Sequence, residues 1–557
     1  MLILGGLMKI LIVGSGAREH AIGEKISQST LCDKIYFAPG NGGTGKIGEN
    51  VDIKVTDLDG LVAFAEKNKI DFTIVGPEDP LNLGLVDAFE ARGLKIFGPR
   101  KEAANLEGSK AFAKDFMVRH NIATGQYIET SNLDQAIDFT KKLLEESSKA
   151  VIKADGLCAG KGVFIVDNIS DGEKYLRRIL KTGDYGIKKV IIEEFLEGFE
   201  MSLIAFVDNH TIKMLPTSKD HKNIFDKDQG LNTGGMGTYS PNIQASPYLD
   251  DLEDQILNPF LKGIQADKMD FRGVIFIGLM ITADGIKVLE FNTRFGDPET
   301  QSILNRLDSD LLDLMIKTSE DKLEEADLVF NDKKVLTLIL ASAGYPESYE
   351  KGFEISGIDK LEGVKVYHAG TKLEGNKVLT AGGRVLSIVA IEDSFEEAIN
   401  KVYKAAETID FEGKYYRTDI GPQVQRFYIE EDLENFDQVA SILRKNKIDK
   451  TKVKVYLRYD YESLNEEEGK KLCKNIAGDK KFFYNASAFD LQKSFDKALV
   501  VNLEKPADFE NIYLEKSLVL ACSKDLNKLD LINLKRALLE AINGSDGKLL
   551  GVPTKIS

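Results

Sequence analysis

The stretch VLEFNTRFGDPETQ, residues 288–301, decides how the chain is read. Taken as a strand, its successive side chains alternate between faces. Glu290, Asn292 and Arg294 then share one face, and Leu289, Phe291 and Phe295 the other. An acid, an amide and a guanidinium on one face do not bury without partners. Glu290 and Asn292 offer hard oxygen ligands two positions apart. That suits Mg²⁺, which takes a few protein oxygens and completes its shell with phosphate and water. Arg294 beside them is placed to stabilise a transferring phosphoryl group.

A second stretch supplies what such a face would hold. In IKADGLCAGKGV, residues 152–163, Lys153 and Lys161 flank glycines between two strands. A hairpin of this kind folds over a polyphosphate, its amides and ammoniums offsetting the charge; the plain alternative is an exposed turn with solvated lysines. EEFLEGFE, residues 193–200, ends a strand with acids. Its edge can offer backbone groups to a purine and Glu200 to ribose hydroxyls, but alone it reads better as a solvated acidic turn. DHKNIFDKDQGLNTGGMG, residues 220–237, is a long polar loop suited to gripping a phosphate or an amino acid. Together, a lysine–glycine flap and a carboxylate–amide–arginine strand describe an ATP·Mg site.

Composition narrows the rest. With 557 residues, 43% hydrophobic and 29% charged, the chain is globular and divides into several domains. A net charge of −16 argues against nucleic acid or an anionic membrane as partner. The four cysteines are scattered, which argues against a zinc cluster or disulfide framework and fits a reducing cytoplasm. No apolar run reaches the ~18–20 residues of a membrane helix. Met8 is a candidate start, with residues 1–7 an extension ahead of the first buried strand, KILIVGSG.

Two glycine-rich motifs invite familiar readings. GSGAREH (14–20) begins like a dinucleotide fingerprint, but Ala17 and Glu19 stand where its last glycine falls, so an NAD site has little support. Its amides read as a phosphate cradle at a helix start or as a tight turn; spacing does not choose. PGNGGTGKI has Ile47 where a P-loop needs a hydroxyl, and a strand-like segment follows it, which rejects the P-loop.

Four regions follow in order. Strands ending in Gly or Pro alternate with helices over 8–107, the pattern of a doubly wound domain. Mixed strands and helices fill 108–327. A smaller α+β unit occupies 328–423. Residues 424–557 are rich in Lys, Asp and Glu, with weakly patterned strands and helices.

The motifs GSGAREHA, PGNGGT, VGPEDPL, LEGSKAFAKDFM, IKADGLCAGKGV, EEFLEGFE, DHK…TGGMGTYSP, VLEFNTRFGDPETQ, YHAGT and GGRVL occur in one order over Lys9–Pro422. In this the chain resembles the phosphoribosylamine–glycine ligases (glycinamide ribonucleotide synthetases) of the ATP-grasp superfamily. The resemblance implies a multidomain α/β ATP-grasp fold. Its parts would be a doubly wound N-terminal domain, an ATP-grasp core with a mobile lid at about 125–195, a small α+β domain, and an additional C-terminal α+β region. It implies ATP and Mg²⁺ or Mn²⁺ as cofactors, and glycine and 5-phosphoribosylamine as substrates. Glycine would be joined to the amine through a glycyl phosphate in purine biosynthesis. Carried over by motif, Lys110, Lys153, Asp155, Gly156, Gly160, Lys161 and Gly162 would hold the ATP phosphates. Glu193, Glu194, Phe195 and Leu196 would hold adenine, and Glu200 the ribose. Glu290 and Asn292 would bind metal. Arg294, Asp220 and Lys222 would serve catalysis, and Gly16, Asn41, Thr233, Gly234, Gly235, Met236 and Arg294 would face the substrates. Ala17, Cys158 and Phe199 depart from the family pattern, and none removes a metal or phosphate ligand. The tail faintly resembles the small N-terminal region of large formylglycinamidine ribonucleotide synthase. It would then be a docking module for other purine-pathway enzymes; an unrelated appendage is the alternative. A catalytically silent scaffold keeping the fold, and a ligase of another carboxylate and amine, are the competing functions. Intact Glu290, Asn292, Lys153 and Arg294 oppose the first, and the 220–237 loop the second.

Overall fold

The computed structural model describes residues 7–422, apart from 157–161, 184–185, 243–244 and 246–247. Beyond these it describes residues 443–445 and the backbone of five strands. The chain forms two compact units, divided between Gly421 and Pro422.

The first unit begins with a five-stranded parallel sheet. Its order is Glu49–Asn50, Cys32–Pro39, Met8–Gly14, Phe72–Val75, Ile96–Phe97. The central strand is apolar throughout because both its faces are covered. Ile10 and Ile12 pack with Ile22 and Ile26 of the first helix, while Leu11 and Val13 pack with Leu61, Val62 and Phe89 on the other side. This is the doubly wound arrangement.

Two antiparallel sheets follow. One, ordered Tyr127–Thr130, Val190–Glu194, Ala150–Ala154, Val163–Val166, packs on the helices Leu133–Ser147 and Ile169–Arg177 around its own core. The other, ordered Ile212–Met214, Phe199–Val207, Gly273–Thr282, Gly285–Asn292, is backed by Phe116, Phe260 and Phe271. The hairpin between its last two strands turns at Ala283-Asp284, and Gly285 takes the left-handed φ of +118° that the turn requires.

A last sheet, built on Lys334–Ser342 and Arg384–Glu392, is covered by the helix Phe395–Thr408. It is not made from its own stretch of chain alone. Lys219–Asp220 and Gly237–Ser240, the two ends of the 220–237 loop, complete one side of it. Between them the loop is a hairpin, Asn223–Phe225 against Gln229–Asn232. Arg417 holds that hairpin through the Asn223 carbonyl and Asp228. The second unit contains a five-stranded antiparallel sheet in the order Phe482–Tyr484, Val424–Glu431, Val453–Glu462, Glu515–Ser523, Phe495–Asn502.

Candidate active site

The opening strand reaches its polar face by an irregularity. Ile286, Val288 and Phe291 all belong to one apolar core, a spacing that strict alternation forbids. Gly278 pairs with Glu290 and Leu279 with Val288, so the strand bulges at Leu289. The bulge turns Glu290 and Asn292 away from the core. Leu289 is therefore not part of the buried face expected of it, and Phe295 packs in a different core from Phe291. The strand ends at Asn292, and Arg294 comes back to it by a hydrogen bond from Nη2 to Asn292 Oδ1, 3.1 Å.

Two acids from other elements fix that guanidinium. Glu78, on the helix after Val75, accepts from Arg294 Nε at 3.3 Å. Glu107 lies 2.9 Å from Nη2 and accepts the Thr293 amide at 2.8 Å. Burial opposes the charge on Arg294, but Glu107 and Glu78 prevail and raise its pKa. The Glu290 carboxylate is likewise desolvated, yet Lys222, Lys153, Lys110 and Arg294 hold it below its usual range. An ionised carboxylate beside an amide oxygen, ringed by cations, is a fitting donor pair for Mg²⁺ or Mn²⁺ whose other ligands come from phosphate and water. No group of three or more His, Cys, Asp or Glu able to hold a metal occurs among the described residues.

The residues that the motifs assign to a nucleotide come together around Val190–Glu194. Glu193 accepts ion pairs from Lys153 and from Lys114, the latter at 2.5 Å. Its carboxylate is thus committed to lysines. Glu194 pairs with Lys287 at 2.8 Å. The Phe195 ring lies 4.7 Å from Lys149 Nζ, and Leu196 is buried. Asp155 accepts from Ser109 Oγ and the Ala111 amide, both at 3.2 Å, so its carboxylate anchors the flap to the start of the helix Lys110–Arg119. Lys110 Nζ donates to the Gly156 carbonyl at 2.9 Å, and Gly162 closes the flap base through Ala154. Gly160, Lys161 and Cys158 lie outside the described residues. Phe199 packs on Tyr248.

A second cluster gathers buried acids around the 220–237 loop. Glu200 pairs with Lys222 at 3.0 Å rather than standing free. Asp220 is pushed well up by burial and by the like charge of Glu299, and its Oδ1 has no hydrogen-bond partner. Glu299, also raised by burial, accepts from Ser202 at 3.0 Å. Gly235 closes over Asp220 at φ +106°, where an added Cβ would lie 2.6 Å from Oδ1. Thr233 bridges the loop by donating to the Lys222 carbonyl and accepting from the Gly235 amide. Met236 is buried. The Gly234 amide donates to Tyr345 Oη, and Arg384 ties the Gly234 carbonyl to Asp297. His221 points inward to the Gly237 carbonyl, and burial lowers its pKa to about 4.

The glycine-rich turns of the N-terminal sheet reach the site at Gly16, beside Asp297. At the start of the helix Ala17–Ile26, Glu19 Oε2 accepts the Gly16 amide at 2.6 Å. A Cβ at Gly14 or Gly76 would strike the same Glu19 side chain. Of the amides of residues 14–17, that of Gly16 is thus paired within the chain. Asn41 spends its amide on the carbonyls of Ser15 and His368 and accepts the amides of Gly43 and Thr44. It fastens the turn, and Gly16 abuts Asp297.

Family profiles match this chain in three segments: phosphoribosylglycinamide synthetase N domain over 8–107, ATP-grasp (A) domain over 108–300 and C domain over 335–423. A phosphoribosylamine–glycine ligase of Caldanaerobacter subterraneus subsp. tengcongensis is 48% identical over 416 residues, 74% of this chain and 99% of that protein. The chain belongs to the phosphoribosylamine–glycine ligase family. A crystal structure of phosphoribosylamine–glycine ligase from Thermotoga maritima superposes with a TM-score of 0.66 at 33% identity, covering 74% of this chain and 100% of that one. The biotin carboxylase domain of Hydrogenobacter thermophilus 2-oxoglutarate carboxylase, 15% identical with a TM-score of 0.56, shares the fold.

As a member of this family the protein is a carbon–nitrogen ligase. Its site draws on residues to which the motifs gave no role: Glu78, Glu107, Lys114, Asp297, Glu299 and Arg384. Asp297 and Glu299 sat inside the opening stretch itself. Glu107 and Lys114 sat inside LEGSKAFAKDFM, but without a role, because a charge in an amphipathic helix reads as surface.

Proposed function

We propose that this ligase joins glycine to 5-phosphoribosylamine at the expense of ATP, giving glycinamide ribonucleotide, ADP and phosphate. The supporting observation is the meeting of three sets of groups at one place. They are the Glu290–Asn292–Arg294 face, the lysines 110, 153 and 222, and the buried acids Asp220 and Glu299. Lys110 and Lys153 bind the phosphates of ATP, and the backbone of 193–196 its base. A divalent ion on Glu290 and Asn292, Mg²⁺ or Mn²⁺, supplies charge neutralisation to the phosphates. Arg294, held by Glu78 and Glu107, faces the phosphoryl group as it passes to the glycine carboxylate. A carboxylate is a poor electrophile, and phosphorylation provides the leaving group that the amine of phosphoribosylamine then displaces. The buried acids Asp220 and Glu299 suit an amino group, and the 14–16, 41 and 233–236 turns would face the substrates. We read 8–107 as the substrate-facing N-terminal domain, 108–327 as the ATP-grasp core with its lid at 125–195, and 328–423 as the closing domain.

The substrates are small molecules, and a cytoplasmic setting agrees with the scattered cysteines. No helix of the described residues is long and apolar enough to cross a membrane. Docking of pathway enzymes through 424–557 rests on side chains outside the described residues.

The test is ADP release with Mg·ATP, with and without glycine, and with phosphoribosylamine made in place from ribose 5-phosphate and ammonia. ADP is expected only when both are present. ADP formation indifferent to glycine overturns the substrate assignment.

A further inference from the structure

Two cations meet on one buried carboxylate at Glu193. Lys114 and Lys153 both pair with it, and the neighbouring Glu194 is taken by Lys287. Lys153 also faces Glu290. The side chains of Lys114, Lys153 and Glu193 are only 4%, 11% and 6% exposed, so a charge that loses its partner here is poorly solvated.

The two lysines on Glu193 are held differently. Lys114 rises from the helix Lys110–Arg119, and its ammonium also donates to Thr124 Oγ1 at 2.6 Å. Thr124 in turn donates to the Val288 carbonyl at 2.7 Å, tying Lys114 to the metal-face strand. The Tyr127 ring lies 5.5 Å from the same ammonium. Lys153 stands next to last on the strand that leads into the flap, and its hydrogen-bond contact beyond Glu193 is a long one, 3.5 Å to the Leu289 carbonyl. Beyond Glu193, Lys114 thus has a second short hydrogen bond, and Lys153 has a long one.

We propose that Lys114 is a positioning residue for ATP: it keeps Glu193 neutralised so that Lys153 can exchange that carboxylate for a nucleotide phosphate. This rests on Lys153 being a phosphate ligand. Without Lys114, every departure of Lys153 would strand a buried carboxylate, and that cost would be subtracted from nucleotide affinity. With Lys114 in place the exchange leaves each charge paired. The titration of the cluster agrees. Burial works against the ionised form of Glu193, yet Lys153 and Lys114 bring its pKa below the usual value. Burial and Lys153 lower that of Lys114, with Glu193 opposing them.

The experiment is calorimetric titration of the full-length protein with Mg²⁺ and a non-hydrolysable ATP analogue, alongside steady-state kinetics. Lys114→Met should weaken the analogue about tenfold or more, the order of cost of stranding a buried charge, with the KM for glycine unchanged. Lys114→Arg, which keeps the charge, should restore most of the affinity. Adding Glu193→Gln to Lys114→Met should recover it as well, since no carboxylate is left to strand. Glu193→Gln alone should bind at least as tightly as the parent protein. If Lys114→Met does not fold, this last variant decides, and weaker binding overturns the proposal. Wild-type affinity in Lys114→Met, or a loss that Glu193→Gln does not repair, also overturns it. Lys153→Met tests the underlying reading: unchanged affinity there removes the phosphate role of Lys153, and the proposal with it. A loss there with Lys114→Met unaffected removes the proposal alone.

Discussion

At the residue scale, the site is a set of charges whose pKa values have been moved by one another. Glu290 is kept ionised, so Glu290→Ala should lower kcat roughly 10³-fold or more, several kcal/mol of lost charge stabilisation, with an unchanged circular dichroism spectrum. Near-normal turnover in the folded variant would sink the metal assignment. Asp220 behaves oppositely. Its pKa is raised by burial and Glu299, so its proton is held more tightly in the folded state. The stability this lends is complete below the ordinary carboxylate range and is lost as pH rises through the raised value. Asp220→Asn escapes that loss. In the absence of substrates it should be more stable than the parent at pH 7 by roughly 0.5–2 kcal/mol, with no such gain at pH 3 and with turnover greatly reduced. Thermal denaturation at the two pH values checks the sign. The residues that carry these charges were legible from their motifs. Their partners were not: Glu107 reaches Thr293 across 186 positions of chain, and no local pattern encodes such a pair.

At the element scale, the bulge at Leu289 and the turn at Gly235 do the shaping. The bulge lets one strand bury Val288 and Phe291 and still present Glu290 and Asn292. Phe291→Ala should therefore cost about 3–5 kcal/mol, seen as a lower melting temperature, because its ring packs against Phe116 and Phe260. Gly235→Ala adds a side chain at positive φ and against Asp220. It should cost about 1–3 kcal/mol and raise the KM for glycine; unaltered kinetics would remove the 233–236 turn from the substrate site. Strands, helices and hairpin turn were readable from periodicity and glycine placement. The bulge was not, since a one-residue irregularity looks like ordinary alternation in sequence.

At the scale of the molecule, the match to family members ends where the first compact unit ends, near residue 422. The 416 matched residues account for 99% of the Caldanaerobacter enzyme's length. A truncation to residues 1–423 should therefore keep ADP release dependent on glycine and phosphoribosylamine. Loss of activity in that folded truncation would give the tail a part in the reaction.

Sequence by itself determined the layered α/β architecture, because buried parallel strands must be apolar on both faces and amphipathic helices must cover them. It also determined the chemistry of the polar strand, since an acid, an amide and a guanidinium in that spacing demand charged company. Only tertiary structure decided what that company is. Glu78 and Glu107 converge on Arg294, Glu19 takes the Gly16 amide at a helix start, and the ends of the 220–237 loop join a sheet built from the far end of the unit. These are contacts between segments distant in the chain. They are chosen by where hydrophobic cores place the backbone and by the need to pair each buried charge.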